Sequence, residues 1–307
     1  MLKFINVTKS FKEDFWKEGK VVLNDLSFTL EEGSLCGFLG ANGAGKTTSI
    51  KSLLGFISID SGEIKFSENL GKSIDEVKAK VGYFPERPYF YAHMTGMEFC
   101  LYLGKLQGVA PKKLHENIFA WSKKLKIDFA LDRKINHYSK GMLQRLGFVS
   151  CLIHDPKLII LDEPLSGLDP LGRKDFKDIM VELNRSGVTV FFSSHIVSDV
   201  EEICDSLVVI SEGKKVYEGK TKDLILESTQ LQYKVSLQMN SSFENLKSKF
   251  SSLKLLNENS DTTQVLIEAN EKDNLLQEAL KSNWVIEEVS KTSPSLEQII
   301  YRTDGSL

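Results

Sequence analysis

Residues 40 to 47 have the types and the spacing that binding of a phosphate chain requires. They read Gly-Ala-Asn-Gly-Ala-Gly-Lys-Thr, which is the pattern G-x-x-x-x-G-K-T. In such a loop the glycines allow backbone N–H groups to face a phosphate, the lysine brings a positive charge to the β- and γ-phosphates, and the threonine hydroxyl reaches Mg²⁺. We therefore predict that Lys46 binds phosphate and that Thr47 is a Mg²⁺ ligand.

The segments that flank this loop predict a strand before it and a helix after it. Leu35 to Leu39 is an apolar run of strand length, and Thr48 and Ile50 open a helix whose positive N-terminus faces the anion. In this context a glycine-rich turn that matches by chance is the weaker interpretation, and the chain is predicted to bind a nucleotide. The loop alone leaves kinases, GTPases, helicases and transport ATPases open.

A pair of acidic residues follows a second apolar run. Leu158 to Leu161 predicts a buried parallel strand, and Asp162 and Glu163 come directly after it. Such a strand delivers its acids to the carboxyl edge of a sheet, where we expect Asp162 to hold Mg²⁺ and Glu163 to accept the proton of an attacking water. Taken alone, the pattern also fits a core strand that ends in a solvated acidic turn.

Three further motifs lie in a set order along the chain. Tyr138 to Arg145 reads Tyr-Ser-Lys-Gly-Met-Leu-Gln-Arg, Ser166 to Asp169 reads Ser-Gly-Leu-Asp, and His195 follows the β-rich run Val188 to Ser194. With these motifs and the two described above, residues 1 to about 220 resemble the ATP-binding cassette (ABC) ATPases, the nucleotide-binding subunits of ABC transporters.

The resemblance implies a role for each matching residue. It makes Asp162 the Walker B aspartate, Glu163 the general base and His195 the switch histidine that senses the γ-phosphate. Ser139 and Gly141 correspond to the signature motif, which in this family closes over an ATP held by the opposite subunit, so catalysis is expected in a homodimer or in a heterodimer with a second cassette. The other ATP-binding residues that the resemblance implies are Gly40, Ala41, Asn42, Gly43, Ala44, Gly45, Lys46, Thr47, Thr48 and the D-loop Asp169.

Two motifs depart from the family pattern. The signature usually reads Leu-Ser-Gly-Gly-Gln, and Tyr138, Lys140 and Met142 replace three of its five residues here. The serine hydroxyl and the helix N-terminus, which stabilise phosphate charge, are retained. Glu86 stands where the Q-loop glutamine is expected; it still offers an oxygen to Mg²⁺, but it adds a negative charge near the triphosphate. Such variants resemble those of exporters whose permease is a separate polypeptide.

An aromatic side chain near the start of the chain is expected to stack on adenine, because a base offers a π-face that such a ring can read. Phe11 matches the family position and is the favoured candidate. Phe15 and Trp16 lie in a short insertion and could take the role instead. Packing at the edge of the small N-terminal sheet is the alternative for all three rings.

Composition and charge restrict the function further. A chain of 307 residues with 41% hydrophobic content can bury one large core and a small second domain. A net charge of −3 and a pI of about 6.0 provide no electrostatic footprint for nucleic acid, so none is expected as a partner. No segment approaches the roughly 18 apolar residues of a membrane span, and the first residues predict a strand rather than a signal peptide. The four scattered cysteines suggest neutral thiols in a reducing cytoplasm.

The predicted fold class is α/β: a RecA-like P-loop NTPase core with an N-terminal antiparallel β subdomain, a helical signature subdomain and a small C-terminal α+β domain. The expected boundaries are 1–220 for the ATPase domain, with the helical subdomain at about 88–150, and 221–307 for the accessory domain. The aromatic cluster Tyr89 to Tyr91 lies where family members receive a helix of the membrane partner, although packing within the subdomain explains it equally well. His93, His115, His137 and His154 are expected to be surface or capping residues.

The C-terminal segment alternates between strand and helix patterns. The order β-α-β-β-α-β suggests a ferredoxin-like module, and a final helix is predicted at 294–301. This domain carries no catalytic constellation. Regulation, dimer contact and permease contact therefore stay open, beside a purely stabilising role.

The expected function is ATP binding and hydrolysis that powers a separate integral-membrane permease, in a peripheral subunit at the cytoplasmic face of the cell membrane, with export as the expected direction. One alternative is a soluble ABC-type ATPase that acts on ribosomes or DNA; such relatives usually carry two cassettes, a long coiled-coil insertion or basic linkers. Another is a regulatory module that holds ATP without hydrolysing it. Retention of Glu163 and His195 argues against the second alternative.

Overall fold

The computed structural model describes residues 1–12, 19–223, 232–238, 243–259 and 262–292. The chain divides into two compact units, Met1–Thr221 and Lys222–Leu307. The strands of the first unit are β1 (Leu2–Phe11), β2 (Lys20–Leu30), β3 (Leu35–Leu39), β4 (Ser61–Phe66), β5 (Val81–Phe84), β6 (Leu158–Leu161), β7 (Thr189–Ser194), β8 (Ser206–Ser211) and β9 (Lys214–Lys220). Its helices are α1 (Lys46–Leu53), α2 (Ile74–Lys78), α3 (Gly96–Leu106), α4 (Pro111–Lys124), α5 (Lys140–Leu152), α6 (Pro170–Arg185) and α7 (Val197–Ile203).

The central sheet of the first unit has the strand order β5-β6-β7-β3-β8-β9. Its neighbours are parallel except for β8 and β9. Every residue of β3, β6 and β7 is buried, as expected for parallel strands covered on both faces. Because parallel strands end at the same edge, the loops that follow β3, β5, β6 and β7 meet there. Strand β7 lies between the strand of the phosphate loop and the strand of the two acids.

A smaller antiparallel sheet, ordered β2-β1-β4, packs against the central one. Phe28 of β2 links the two. Its ring centroid lies 4.4 Å from that of Phe4, 5.5 Å from that of Phe38 in β3 and 6.0 Å from that of Phe191 in β7. These buried ring contacts attach the antiparallel sheet to the strands that carry the phosphate loop and the switch histidine.

The segment between β5 and β6 is helical, as its periodicity predicts. Helix α3 begins with a capping box between Thr95 and Glu98, and α4 begins with Pro111 at its first position. Helix α5 begins at the signature motif, and its Phe148 packs on Phe84 of β5 and Phe176 of α6, with ring centroids 6.1 Å and 4.9 Å apart. The N-terminus of α5 is thereby fixed relative to the central sheet.

The second unit has the predicted order β-α-β-β-α-β. Its elements are β10 (Gln232–Gln238), α8 (Phe243–Lys247), β11 (Lys254–Glu258), β12 (Thr263–Glu268), α9 (Ala269–Lys281) and β13 (Val285–Thr292). The sheet order is β11-β12-β10-β13, with antiparallel neighbours throughout, which is the arrangement of a ferredoxin-like module. Its core includes Val235, Leu237, Val265, Ile267, Leu275 and Ala279.

Some predictions differ from the structure or fall outside it. His154 is half-buried rather than a surface residue, because the turn between α5 and β6 places its Nε2 atom 3.1 Å from the Val81 carbonyl oxygen; burial lowers the pKa of the ring. The helix after the phosphate loop begins at Lys46, two residues earlier than expected. Phe15, Trp16 and the predicted helix at 294–301 lie outside the described residues.

The structure describes the state of the four cysteines and the character of the helices. All four cysteines are buried, and burial raises the pKa of Cys36 and of Cys100 to about 12, so these thiols are neutral at physiological pH. Within the part of the chain that the structure describes, no helix combines the length and the apolar character needed to cross a lipid bilayer.

Candidate functional site

A cavity of about 890 Å³ opens where the carboxyl edge of the central sheet meets the loop between β3 and α1. It joins the phosphate loop to side chains that follow β5, β6 and β7. The predicted site residues that line it are Ala41, Asn42, Gly43, Gly45, Lys46, Thr47, Thr48, Glu86, Glu163 and His195. Residues more than 150 positions apart in the sequence thus face one space.

The phosphate loop depends on glycine at its last turn before α1. Gly45 has a φ of 107° and is the N-cap of the helix. A Cβ atom there would lie 2.8 Å from Leu23 Cδ2 and 3.0 Å from the Val22 carbonyl oxygen. Because both the left-handed backbone and the close approach of β2 exclude a side chain, glycine is required for α1 to start at this point.

Lys46 is almost fully buried at the base of the cavity. Its Nζ atom donates hydrogen bonds to the carbonyl oxygens of Gly40 at 2.6 Å and Ala41 at 3.2 Å. The same atom lies 3.2 Å from Glu163 Oε1, an ion pair without the direction of a hydrogen bond. The lysine therefore closes the loop on itself and also faces the acid that follows β6.

Asp162 is not among the residues that line the cavity, and only 1% of its surface is exposed. Burial raises the pKa of its carboxyl group, hydrogen bonds from Ser193 and Thr47 oppose that rise, and the negative charges of Glu163 and Glu86 add to it. A cation beside this carboxylate would favour its charged form and so lower its pKa.

The oxygen donors here fit Mg²⁺. The hydroxyl of Thr47 and the carboxylates of Asp162 and Glu86 are the hard ligands that this ion prefers. Among the described residues no three His, Cys, Asp or Glu side chains converge as a metal cluster, so an ion held here would complete its coordination with phosphate oxygens and water.

Glu163 has an unusual backbone and a carboxylate held from two sides. Its φ of 49° lies in the left-handed region, which costs a residue with a side chain about 1–2 kcal/mol. Its backbone N–H donates to Ser193 Oγ at 2.9 Å. Its Oε2 atom lies 2.9 Å from His195 Nδ1, while Oε1 faces Lys46. The acid that follows β6 and the histidine that follows β7 therefore form one hydrogen-bonded pair at the cavity.

Part of the cavity wall consists of residues to which the sequence motifs assigned no site role. Lys20, Val21 and Val22 of β2, Ser166 and Glu212 also line it. Glu212 lies in the hairpin between β8 and β9. The next residue, Gly213, donates its N–H to the Ala44 carbonyl oxygen at 3.0 Å, and its carbonyl oxygen accepts from the Asn24 N–H at 3.0 Å. These backbone bonds fasten the phosphate loop to β2. Because they depend on tertiary contact, no local pattern predicts them.

Phe11, the favoured adenine-stacking residue, is not among the residues that line the cavity. It ends β1, is 40% exposed, and pairs across the sheet with Lys20, which does line the cavity. The Lys9 ammonium lies 5.4 Å from the centre of its ring. The ring is thus exposed beside the cavity rather than part of its wall.

The signature residues face a second cavity of about 450 Å³. Ser139, Gly141 and Asp169 line it together, and none of them lines the first cavity. Ser139 is the N-cap of α5 and accepts a hydrogen bond from the Met142 N–H at 3.3 Å, while Asp169 caps α6 by accepting from the Gly172 N–H at 3.0 Å. The predicted site residues are therefore divided between two separate surfaces of the chain.

A third concave surface, of about 310 Å³, is aromatic. Tyr89 and Tyr91 meet edge to face with ring centroids 5.8 Å apart, and Tyr91 meets Tyr102 in the same way at 5.9 Å. Tyr89 is 81% exposed and Leu106 is 67% exposed. This surface, which we call the aromatic groove, lies between the segment after β5 and helix α3.

The fold and the first cavity together define a P-loop nucleotide-binding protein. A family model described as ABC transporter matches residues 23–166. The chain is 40% identical over 224 residues to an uncharacterized ABC transporter ATP-binding protein of Synechocystis, covering 71% of this chain and 62% of that protein. It is 36% identical over 225 residues to the uncharacterized ABC transporter ATP-binding protein YhaQ of Bacillus subtilis, covering 73% and 72%.

Two further relatives agree with this family. The bacitracin transport ATP-binding protein BcrA of Bacillus licheniformis is 38% identical over 198 residues, which is 64% of either chain. A solved ATP-binding subunit of an ABC transporter superposes with a TM-score of 0.66 at 27% identity, covering 74% of this chain and 92% of that one. The chain therefore belongs to the ABC transporter ATP-binding proteins, and the predicted fold class is confirmed. It spans 62% of the length of the Synechocystis relative.

Proposed function

We propose that this chain is the ATP-binding and ATP-hydrolysing subunit of an ABC transporter and that it powers a separate membrane permease from the cytoplasmic face of the membrane. The observation that carries the proposal is the convergence of Lys46, Glu163 and His195 on the cavity of the phosphate loop. A cation for the phosphates, a carboxylate for the attacking water and a group beside the terminal phosphate are what triphosphate hydrolysis needs in one place.

ATP binding begins with a change of partners at Lys46. Its ammonium is bonded to two neutral carbonyl oxygens, those of Gly40 and Ala41, and is paired with Glu163. Phosphate oxygens are better acceptors than neutral carbonyls because they carry negative charge, so the β- and γ-phosphates draw the ammonium toward the cavity. The loop N–H groups and the N-terminus of α1 add to the attraction.

Hydrolysis then takes place between Glu163 and the γ-phosphate. A water held by the carboxylate gives it a proton as the water oxygen bonds to the γ-phosphorus, and the bond from that phosphorus to the bridging oxygen breaks, which releases ADP and phosphate. The hydrogen bond to His195 keeps the carboxylate beside the phosphate. Thr47, Asp162 and Glu86 are the residues that would hold Mg²⁺, whose charge would offset that of the phosphate oxygens.

A second copy or a second cassette completes the site. Ser139, Gly141 and Asp169 line a cavity of their own, so they reach an ATP on the phosphate loop when another chain presents them. Two copies related by a two-fold axis would bury two equivalent ATP molecules, each between the loop of one copy and the signature of the other.

A relative supports export, and an exposed surface supports contact with a permease. BcrA carries the name of a bacitracin transport protein. The aromatic groove around Tyr89, Tyr91 and Tyr102 offers exposed apolar area for a helix of the permease. The alternative, a soluble ATPase that acts on ribosomes or nucleic acid, is less favoured because the chain has a net charge of −3 and helices α3 and α4 have 11 and 14 residues, too short for a coiled-coil arm.

The test is Glu163→Gln. This variant loses the base but keeps the shape of the side chain, so we expect it to bind ATP, to dimerise in its presence and to release phosphate at least about a hundredfold more slowly. Phosphate release and size-exclusion chromatography with and without ATP measure these properties. The matched control is Glu182→Gln, the same change on the exposed face of α6, which should keep parental turnover.

Each competing function predicts a different result in these measurements. Near-normal turnover of Glu163→Gln would remove Glu163 from the role of base. A parent protein that binds ATP but releases no phosphate would favour the regulatory module. Co-purification of the tagged chain with ribosomes, rather than with a multi-span membrane protein, would favour the soluble ATPase.

A further inference from the structure

Ser193 is a buried polar residue at the carboxyl end of β7 that no motif singles out. Its residue surface is 0% exposed. Strand β7 lies between β3, which leads into the phosphate loop, and β6, which leads into the two acids. A serine at the end of this middle strand can therefore reach the acids from the side that faces the phosphate loop.

The hydroxyl of Ser193 makes two hydrogen bonds, and both go to the acidic pair. It donates to Asp162 Oδ1 at 2.7 Å and accepts from the backbone N–H of Glu163 at 2.9 Å. A serine hydroxyl has one proton and two lone pairs, so it can make both bonds at once. One side chain thus holds the carboxylate of the first acid and the peptide group of the second.

The bond to Glu163 matters because the backbone of that residue is strained. A φ of 49° is unfavourable for glutamate, and such a conformation persists when its surroundings hold it in place. Without the Ser193 acceptor, the Glu163 N–H would have no hydrogen-bond partner. Rotation of the peptide toward an ordinary backbone conformation would then relieve the strain of its positive φ. That rotation would carry the carboxylate away from Lys46 and His195, which lie 3.2 Å and 2.9 Å from its oxygens.

The bond to Asp162 orients the expected metal ligand. Burial of this carboxylate leaves it few possible donors, and Ser193 occupies Oδ1. The oxygen that remains can point toward Thr47, whose hydroxyl also stabilises the charged form of Asp162. The carboxylate of Asp162 and the hydroxyl of Thr47, the two predicted Mg²⁺ ligands, can thereby face each other.

We propose that Ser193 is a positioning residue for ATP hydrolysis, and that its hydroxyl keeps the Asp162 carboxylate aligned for Mg²⁺ and the Glu163 peptide in the conformation that places the base. This inference rests on the function proposed above. Ser193 acts through the two acids and does not contact the nucleotide. His195 follows two residues after Ser193, at the end of the same strand. Strand β7 thus sets the positions of Asp162, Glu163 and His195.

Ser193→Ala tests the proposal because it removes the hydroxyl and little else. We expect kcat for ATP hydrolysis to fall about tenfold or more, since the lost bonds involve a charged acceptor and an otherwise unsatisfied N–H, while KM for ATP changes less than about twofold. If the alanine variant does not fold, Ser193→Cys, which replaces the oxygen by a weakly hydrogen-bonding sulfur, is measured in the same way.

The matched control is Thr189→Val at the opposite end of the same strand. Thr189 is equally buried, and its hydroxyl also accepts a backbone N–H, that of Gly33 at 2.8 Å, but it lies away from the acids. We expect Thr189→Val to keep kcat within about twofold of the parent even where its thermal stability falls as much as that of Ser193→Ala. Equal losses of kcat in the two variants would overturn the proposal, as would parental kcat in Ser193→Ala.

A second readout does not depend on turnover. In the Glu163→Gln background, the affinity of the ATP-loaded protein for Mn²⁺, measured by electron paramagnetic resonance, should fall several-fold when Ser193→Ala is added, and unchanged affinity would contradict the role toward Asp162. In the same background and at saturating metal, the mutation should cost less than about twofold in residual turnover, because the base is already lost and excess metal compensates for the weaker Asp162 site. If the parent releases no phosphate but Ser193→Ala still lowers Mn²⁺ affinity, the proposed function is refuted and the role of Ser193 toward Asp162 stands.

Discussion

At the scale of single residues, the cavity gathers negative charge where a triphosphate is proposed to bind. Glu163, Glu86 and Glu212 line it, and the charges of Glu163 and Glu86 also act on the buried carboxylate of Asp162. Lys46 is in ion-pair distance of Glu163, so part of its charge is already neutralised. Under the proposed function, a divalent cation and the backbone N–H groups of the loop would therefore be needed to balance these acids.

Among these acids, Glu86 allows a test that separates the loss of an oxygen near the metal from the loss of a negative charge. Glu86→Ala should lower ATP turnover about tenfold while binding of a fluorescent ATP analogue is retained, because an oxygen near the metal is lost but the phosphate loop is untouched. Glu86→Gln, which keeps an oxygen and removes the charge, is the matched control and should stay closer to the parent. Phosphate release measures turnover, and unchanged turnover in Glu86→Ala would exclude a role in hydrolysis.

At the scale of elements, a buried ion cluster fastens α6 to α7. Asp199 of α7 is 2% exposed and pairs with Arg173 at 2.5 Å and Lys177 at 2.9 Å, both on α6. Burial alone would lower the pKa of Lys177, but its bonds to Glu202 and Asp199 raise the pKa above its usual value. Helix α6 starts directly after the predicted D-loop aspartate, and α7 starts two residues after His195. The cluster thus couples the two loops through the helices that follow them.

Asp199→Ala should therefore destabilise the first unit by about 2–3 kcal/mol, because Arg173 loses its buried partner and Lys177 keeps only the exposed Glu202. Glu182→Ala, on the exposed face of α6, breaks a surface ion pair with Lys124 and should cost less than about 1 kcal/mol. Urea unfolding followed by circular dichroism compares them. Equal midpoints for the two variants would show that the cluster adds no stability beyond a surface pair.

At the scale of the whole molecule, the proposed site is incomplete in one copy. The phosphate loop with Glu163 and the signature with Asp169 line different cavities of the same chain. Variants in the two cavities should therefore complement each other when chains are mixed, which is a property that a self-contained ATPase lacks.

Lys46→Ala and Gly141→Asp are suited to this experiment. The first removes the phosphate-binding ammonium; the second places a negative charge on the signature without a steric clash, since a Cβ atom at Gly141 meets no other atom within 4 Å. Each variant alone should be inactive. An equimolar mixture should recover about a quarter of parental phosphate release, because half of the dimers are mixed and each has one complete site. A mixture with no more activity than its components would contradict the shared site.

Much of the local structure follows from the sequence because it depends on neighbours along the chain. Leu35–Leu39 is a strand at the predicted bounds, and the C-terminal unit has the predicted order of elements, since apolar period and turn residues are local properties. Gly45 is required by the turn that it makes. The types and spacing of residues in the phosphate loop likewise determined the class of ligand before any contact was known.

Tertiary structure decided which of these residues share a space. Ser193 and Glu212 follow no motif, and they reach the acids and the cavity because β7 inserts between β3 and β6 and because the hairpin of β8 and β9 folds onto β2. The division of Lys46 and Ser139 between two cavities also depends on strand order and on the packing of α5. Sequence alone determines chemistry that is carried by consecutive residues; contacts between distant segments depend on how sheets and helices pack, and this packing has no local signature.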